Sequence, residues 1–158
     1  MSTATVANLP RISGEKLAAL IRAKTPGITI IDVRGNDYIG GHILGCQNVP
    51  TSTHDHRMPE LARTLRNQNT IVFHCALSQQ RGPSSALRYL RERERMSARG
   101  ELGIREDGED LEKAQRVVVL DGGFEKWQAA CVTTTKSEYG SDPELTEDYV
   151  KDLWDEDF

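Results

Sequence analysis

The stretch Ile71-Val72-Phe73-His74-Cys75-Ala76-Leu77-Ser78-Gln79-Gln80-Arg81-Gly82-Pro83-Ser84-Ser85 decides both the fold and the chemistry. An apolar run rich in β-branched residues reads as a buried strand and ends in His74-Cys75. Five uncharged residues, Ala76, Leu77, Ser78, Gln79 and Gln80, precede Arg81, and Pro83 opens a stretch that reads as helix. A cysteine between a strand and a helix N-terminus sits where backbone N–H groups point at an anion. That field favours a thiolate, the nucleophilic form of the side chain. Arg81, across the loop, can offer a two-pronged donor to a tetrahedral oxyanion held over the sulfur. Cys-x5-Arg alone arises readily by chance; the strand before it and the Gly-Pro and helix after it make it specific. The competing reading is a small buried cysteine at a strand end.

Outward from this centre, strands and helices alternate. Leu9 to Ile12 reads as a short edge strand, and Ser13 caps a helix from Gly14 to about Ala23 with Leu17, Leu20 and Ile21 on one face. Pro26-Gly27 turns the chain into Ile28 to Val33, a β-branched run broken by charge only at Asp32, as in a central parallel strand. Asp32 and Arg34 read first as a strand-end carboxylate and its ion-pair partner. A short helical turn is expected over Asn36 to Gly40, and a strand near Gln47 to Val49. His42 reads as a structural hydrogen-bonding residue.

Thr51 to Asn67 reads as loop then helix, with Met58, Leu61, Ala62 and Leu65 at helical spacing. His54-Asp55-His56 lacks the further ligands of a metal site and reads as a solvated helix start, with Asp55 at the positive dipole end. The helix from Pro83 to about Met96 turns Pro83, Ala86, Leu87 and Leu90 inward. Ala98 to Gln115, polar and carrying Gly100, Gly103 and Gly108, reads as an exposed, mobile loop. Arg116 to Leu120 is a further buried strand. Gly122-Gly123 then turns into a helix through Trp127, a core residue. The alternation predicts a parallel α/β sheet with right-handed crossovers and an anion site at the carboxyl ends of its strands.

The length of 158 residues suits one domain with its own core. No apolar run is long enough to span a membrane, and Met1 to Pro10 lacks a secretory pattern. Three cysteines without metal-like spacing point to a reducing compartment, cytoplasmic or nuclear. The net charge of −4 hides an asymmetry: residues 137–158 hold nine acids and one lysine, a net of −8, which leaves +4 on residues 1–136. A basic body suits an anionic substrate, and its basic residues follow no nucleic-acid motif. The domain is expected over residues 9–130. In the acidic tail, residues 131–158, Leu145, Tyr149, Leu153 and Trp154 share a helical stripe, so the tail is expected to dock on the body.

Three motifs together carry a family resemblance. His74-Cys75-x5-Arg81-Gly82-Pro83 resembles the signature of rhodanese-fold phosphatases of the cell-division-cycle type and of the related arsenate reductases. Ile31-Asp32-Val33-Arg34 with Tyr38-Ile39-Gly40-Gly41-His42-Ile43 is similar to the family's Asp-x-Arg and Gly-His-Ile segment. Val118-Val119-Leu120-Asp121-Gly122-Gly123-Phe124-Glu125-Lys126-Trp127 is similar to its closing Gly-Gly-Phe-x-x-Trp. The chain most resembles the small fungal phosphatases of this type. The resemblance implies a rhodanese-like α/β fold, a central five-stranded parallel sheet flanked by helices.

It also implies the chemistry. In the phosphatase reading Cys75 attacks phosphorus, a phosphocysteine forms, and water hydrolyses it. The amides of Ala76, Leu77, Ser78, Gln79, Gln80 and Arg81, with the Arg81 fork, hold the equatorial oxygens. His74 orients the loop, Asp32 supports it, and Ser78 can donate to the sulfur. Phosphotyrosine-like or small aryl phosphoesters are the expected substrates. An arsenate reductase would use the same cradle for arsenate, with glutathione or a glutaredoxin completing the reduction. A thiosulfate sulfurtransferase resembles the loop less, since its loop is one residue shorter. A silent binding module would lack the cysteine or the arginine.

Where cell-cycle phosphatases carry acids in the loop, this chain has Ala76 and Gln80, so no loop residue serves as general acid. Their back-door cysteine corresponds to Val33; Cys46 and Cys131 are alternative resolving thiols or simply small buried residues. No cofactor and no metal are expected, zinc included, and the chain is expected to be a monomer.

Overall fold

The computed structural model describes residues 5, 8–35, 42–43, 45–75, 81–123, 127 and 146–147. Five strands form an all-parallel sheet: β1 (Arg11–Ile12), β2 (Ile28–Asp32), β4 (Gln47–Asn48), β5 (Thr70–His74) and β6 (Arg116–Leu120), in the order β1-β6-β5-β2-β4. A two-residue strand β3 (His42–Ile43) pairs antiparallel with β7 (Thr146–Glu147) in a separate small sheet. Among the described residues four α-helices accompany these strands: α1 (Gly14–Arg22), α2 (His54–Thr64), α3 (Arg81–Ala98) and the single turn α4 (Leu111–Ala114).

The sheet buries both faces, and the period of two along each strand divides its side chains between two cores. Ile31, Val33, Ile71, Phe73, Cys75, Val117 and Val119 face α2 and α3, against Met58, Leu61, Ala62, Ala86, Leu87, Tyr89 and Met96. Ile30, Val72, Val118 and Leu120 face the other way, against Leu17 and Ala18 of α1, Ile43 and Trp127. This two-sided cover explains why β2, β5 and β6 read as nearly continuous apolar runs. It also sorts the candidate site residues: Asp32 and His74 lie on the α1 side, and Cys75 on the α2–α3 side.

The expected helix after Ser13 is present, and the Ser13 hydroxyl accepts from the Lys16 N–H at 3.1 Å. Trp127 is a core residue, 1% exposed. Helix α3 begins at Arg81, before Pro83, because a proline in the first turn has no intrahelical bond to lose. Between β1 and β6 the pairing of Ile12 with Leu120 makes the first strand an edge, as expected.

Residues 98–115 depart from the expected exposed loop. Leu102, Arg105 and Gln115 are buried, and Asp110 caps α4 by accepting from the Glu112 N–H. The Arg105 guanidinium donates to the carbonyls of Arg66 and Gln68 and to Asn69 Oδ1, each at 2.9 Å, so it satisfies the turn that leads into β5. Asp107 grips the same guanidinium, and this pairing holds its carboxyl at about 2. A polar stretch is anchored here by an arginine whose acceptors include two distant main-chain carbonyls, which hydropathy does not reveal.

Two further expectations change. His54 is buried, not solvated: its Nε2 lies 3.1 Å from the Val49 carbonyl, while Asp55 beside it is open to solvent. Residues 146–147 are extended, not helical, because their backbone is taken up by β3. The expected helical turn over Asn36 to Gly40, Cys131 and the stripe of Leu145, Tyr149, Leu153 and Trp154 lie outside the described residues. Among the described residues no helix is long and apolar enough to cross a membrane.

Candidate active site

Strand β5 delivers His74 and Cys75 to the carboxyl edge of the sheet, between β2 and β6. Cys75 is 3% exposed, and its Sγ accepts from the Gly82 N–H at 3.4 Å, in the first turn of α3. An ionised sulfur accepts such a bond more strongly than a thiol does. Helix α3 runs for 18 residues and has no acidic side chain in its first turn, so no carboxylate competes for its positive end. The chain between Cys75 and Arg81, residues Ala76, Leu77, Ser78, Gln79 and Gln80, lies outside the described residues.

Arg81 opens α3 and lines a cavity of about 390 Å³ together with Thr51, His54, Ser84, Ser85 and Arg88. The wall is cationic and hydroxyl-bearing. Arg88 pairs with Asp55 across the gap between α2 and α3. Burial pushes the His54 imidazole below its usual value, aided by the Arg88 charge, although the Val49 carbonyl and Asp55 pull the other way. A buried, neutral His54 therefore braces the cavity without adding to its charge near neutral pH. His54, Ser84, Ser85 and Arg88 were not predicted as site residues. The Ser84-Ser85 pair follows Pro83 in the sequence, but only the α2–α3 packing brings it together with His54.

Behind the edge, Asp32 and His74 are register partners on β2 and β5. Asp32 is fully buried and holds Arg34, which is equally buried, through Nη2 at 2.7 Å and Nε at 3.0 Å to each carboxylate oxygen. The expected ion pair is thus present. Its main chain is clamped too, since Asn48 Nδ2 donates to the carbonyls of Asp32 at 3.1 Å and Arg34 at 2.9 Å. His74 Nδ1 faces the Cys75 carbonyl at 3.5 Å, and its Nε2 stands 3.8 Å from Asp32 Oδ2. Both side chains point away from the face that carries Cys75.

A cysteine at the carboxyl end of a central parallel strand, followed by an arginine that begins a helix, is an arrangement of the α/β class in which strand ends and a helix N-terminus face one place. The Rhodanese-like domain family matches residues 13–130, and the chain belongs to that family, alongside its Cdc25-like phosphatases and arsenate reductases. A CDC25-like phosphatase of Saccharomyces cerevisiae, YCH1, is 36% identical over 135 residues, covering 79% of this chain and 76% of the yeast protein. Arsenate reductase 2.2 of Oryza sativa subsp. japonica is 34% identical over 118 residues, 74% of this chain and 80% of the rice protein. Among solved structures, a yeast protein tyrosine phosphatase of the rhodanese family superposes with a TM-score of 0.66 at 29% identity, covering 93% of this chain and 97% of its own. The As/Sb reductase of Leishmania major gives the same TM-score at 26% identity, covering 88% and 85%.

Proposed function

We propose that this chain is a cysteine-dependent phosphatase acting on phosphotyrosine-like or small aryl phosphoesters. Cys75 is the nucleophile: its sulfur attacks phosphorus in line with the leaving oxygen, the P–O bond breaks, and the phosphoryl group passes to sulfur. Water then attacks the phosphocysteine, releasing phosphate and regenerating the thiolate. Arg81 and the amides of residues 76–81 neutralise the equatorial oxygens in both steps. The reading rests on one observation above all, the Gly82 N–H aimed at Cys75 Sγ from a helix that Arg81 begins. Asp32 and His74 are positioning residues that fix the strand ends from which the loop starts. The cytosol or nucleus, where thiols stay reduced, is the compartment this chemistry needs.

A second reading is favoured by the rice and Leishmania reductases. Arsenate is a tetrahedral anion of nearly the same shape as phosphate. Cys75 would form a thiol adduct with it, and two electrons from glutathione or a glutaredoxin would release arsenite. The cavity beside Arg81 is cationic and large enough for part of such a thiol peptide.

One experiment tests both. The purified full chain and Cys75→Ser are assayed with an aryl phosphate, and separately with arsenate plus glutathione and glutaredoxin. Aryl phosphate turnover that vanishes in Cys75→Ser supports the first reading. Arsenate reduction without phosphate release moves the chain to the second. No Cys75-dependent turnover in either assay overturns both.

A further inference from the structure

Asp32, Cys46 and His74 meet on the face of the sheet opposite Cys75. Each offers one donor atom, and the three donor atoms lie within 4.8 Å of one another. They are far apart in sequence, which is why spacing along the chain gives no metal signature; sheet register assembles them. Asp32 pairs with His74 across β2 and β5, and with Asn48 across β2 and β4, so Cys46 just before β4 comes to the same edge.

From this juxtaposition we propose a second site, on the opposite face of the sheet from Cys75, in which Asp32, Cys46 and His74 bind a divalent ion of the zinc class. The donor set of one carboxylate oxygen, one thiolate and one imidazole suits zinc or a similar borderline-soft ion and is wrong for calcium or magnesium. Asp32 Oδ2 and His74 Nε2 stand 3.8 Å apart, too far for a hydrogen bond. Two donors each about 2.0–2.1 Å from a shared tetrahedral zinc are separated by roughly 3.4 Å, so a shift of a few tenths of an ångström completes that pair.

The surroundings fit as well. A metal-bound histidine usually directs its other ring nitrogen at a carbonyl or carboxylate, and a ligating carboxylate is itself hydrogen-bonded. Here His74 Nδ1 faces the Cys75 carbonyl, which turns Nε2 toward the cluster. Arg34 makes four N–H contacts to the Asp32 carboxylate, its backbone N–H and Nε on Oδ1 and its Nε and Nη2 on Oδ2, so the ion takes the place of the shared Nε contact on Oδ2 while the other three remain. On binding, the Cys46 thiol loses its proton to solvent. Asp32 and the thiolate then offset two of the three positive charges carried by the ion and the Arg34 guanidinium, with His74 neutral. Asp32 and His74 are buried while Cys46 is half-buried, so the ion enters from the Cys46 side, where a water completes four-coordination.

The test uses the full chain carrying Cys75→Ser and Cys131→Ser, so that Cys46 is its one thiol. Titration with Co²⁺ is expected to saturate at one equivalent, with the intense visible bands of a tetrahedral ion and a thiolate-to-metal charge-transfer band. Zn²⁺ should displace the cobalt, and X-ray absorption of the zinc form should show a single sulfur at about 2.3 Å among nitrogen and oxygen neighbours. Adding Cys46→Ala should remove the charge-transfer band and weaken binding by more than the roughly 10–100-fold that a lost supporting contact costs. Asp32→Asn and His74→Gln strip a buried pair and risk unfolding, so the decision rests on Cys46→Ala and on the zinc spectrum of the otherwise intact site. No saturable binding, a six-coordinate cobalt spectrum, a zinc shell without sulfur, or binding unchanged by Cys46→Ala would each overturn the proposal.

Discussion

The Gly82 N–H donates to Cys75 Sγ at 3.4 Å, tying the end of strand β5 to the first turn of helix α3. The bond needs only an acceptor at that place, and a serine hydroxyl can serve. Cys75→Ser should therefore fold with an unchanged thermal midpoint and still bind phosphate, yet show no turnover, because its hydroxyl stays protonated at neutral pH. Steady-state kinetics beside a phosphate-binding titration check this; turnover comparable to the parent would remove Cys75 from the mechanism.

Arg81→Lys keeps the charge and loses the fork. A point charge cannot make the paired contacts of a guanidinium with two equatorial oxygens. The expected loss is about 10²-fold or more in kcat, a few kcal/mol of transition-state stabilisation. A variant within a few-fold of the parent would show that Arg81 does not reach the substrate.

Gln80 stands where the resemblance to cell-cycle phosphatases implies an acid, so in the proposed mechanism the leaving group departs without help from the loop. Activated aryl phosphates should turn over much faster than alkyl phosphates. Gln80→Glu should narrow that gap only below about pH 6, where Glu begins to protonate, and should slow both substrates above about pH 7 by repelling the dianion. A parent rate independent of leaving-group pKa would place a general acid outside the loop.

His54 carries a pH dependence of stability. Burial lowers its pKa in the folded chain, so the unfolded chain takes up the proton first as the pH falls. Stability contributed by the neutral ring is complete above the ordinary value of about 6.5 and declines as the pH drops through it toward the folded value. The slope attributable to this one group is at most about 1.4 kcal/mol per pH unit. Urea unfolding at pH 7 and pH 5 should show a smaller difference for His54→Gln than for the parent; equal differences would contradict the burial argument.

Gln115 is the hub behind α3. Its Oε1 accepts from Tyr89 Oη at 2.8 Å and from Arg93 Nη1 at 3.2 Å, and its Nε2 donates to the carbonyls of Leu65 and Gln68. Burial pushes the Tyr89 hydroxyl up to about 12, so it is a donor across the working pH range. Gln115→Leu strands that hydroxyl and the Arg93 fork and should cost about 2–4 kcal/mol in urea unfolding. Adding Tyr89→Phe should recover part of the loss, because it removes one of the stranded donors. A second substitution that only added to the first would show the two side chains to be uncoupled.

Sequence and structure agree where local chemistry decides. The places of Cys75 at a strand end and Arg81 at a helix start, and the Asp32–Arg34 pair, were legible because each follows from its own few residues: a β-branched run, a following Gly-Pro, and charges two positions apart. His54 was not, since nothing in His54-Asp55-His56 says which ring turns inward; the packing of α2 on the Val49 carbonyl decides it. Arg105 and Gln115 escaped for the same reason, as polar side chains whose partners are carbonyls some 40 to 50 positions away in the chain. The cluster of Asp32, Cys46 and His74 is likewise a product of register, which strand patterns predict only when the strand order is known.

The strand order also sets a schedule for folding on the ribosome. Strand β6, close to the end of the domain, slides between β1 and β5, so the first strand made has no sheet to join until residue 120 has emerged. Strand β5 can meet β2 early, but one flank of the segment ending in Cys75 stays open for the synthesis of some forty further residues, a few seconds at ordinary elongation rates. That open flank offers unpaired backbone groups to other strands until β6 arrives, so the order of synthesis makes this segment a point of mispairing.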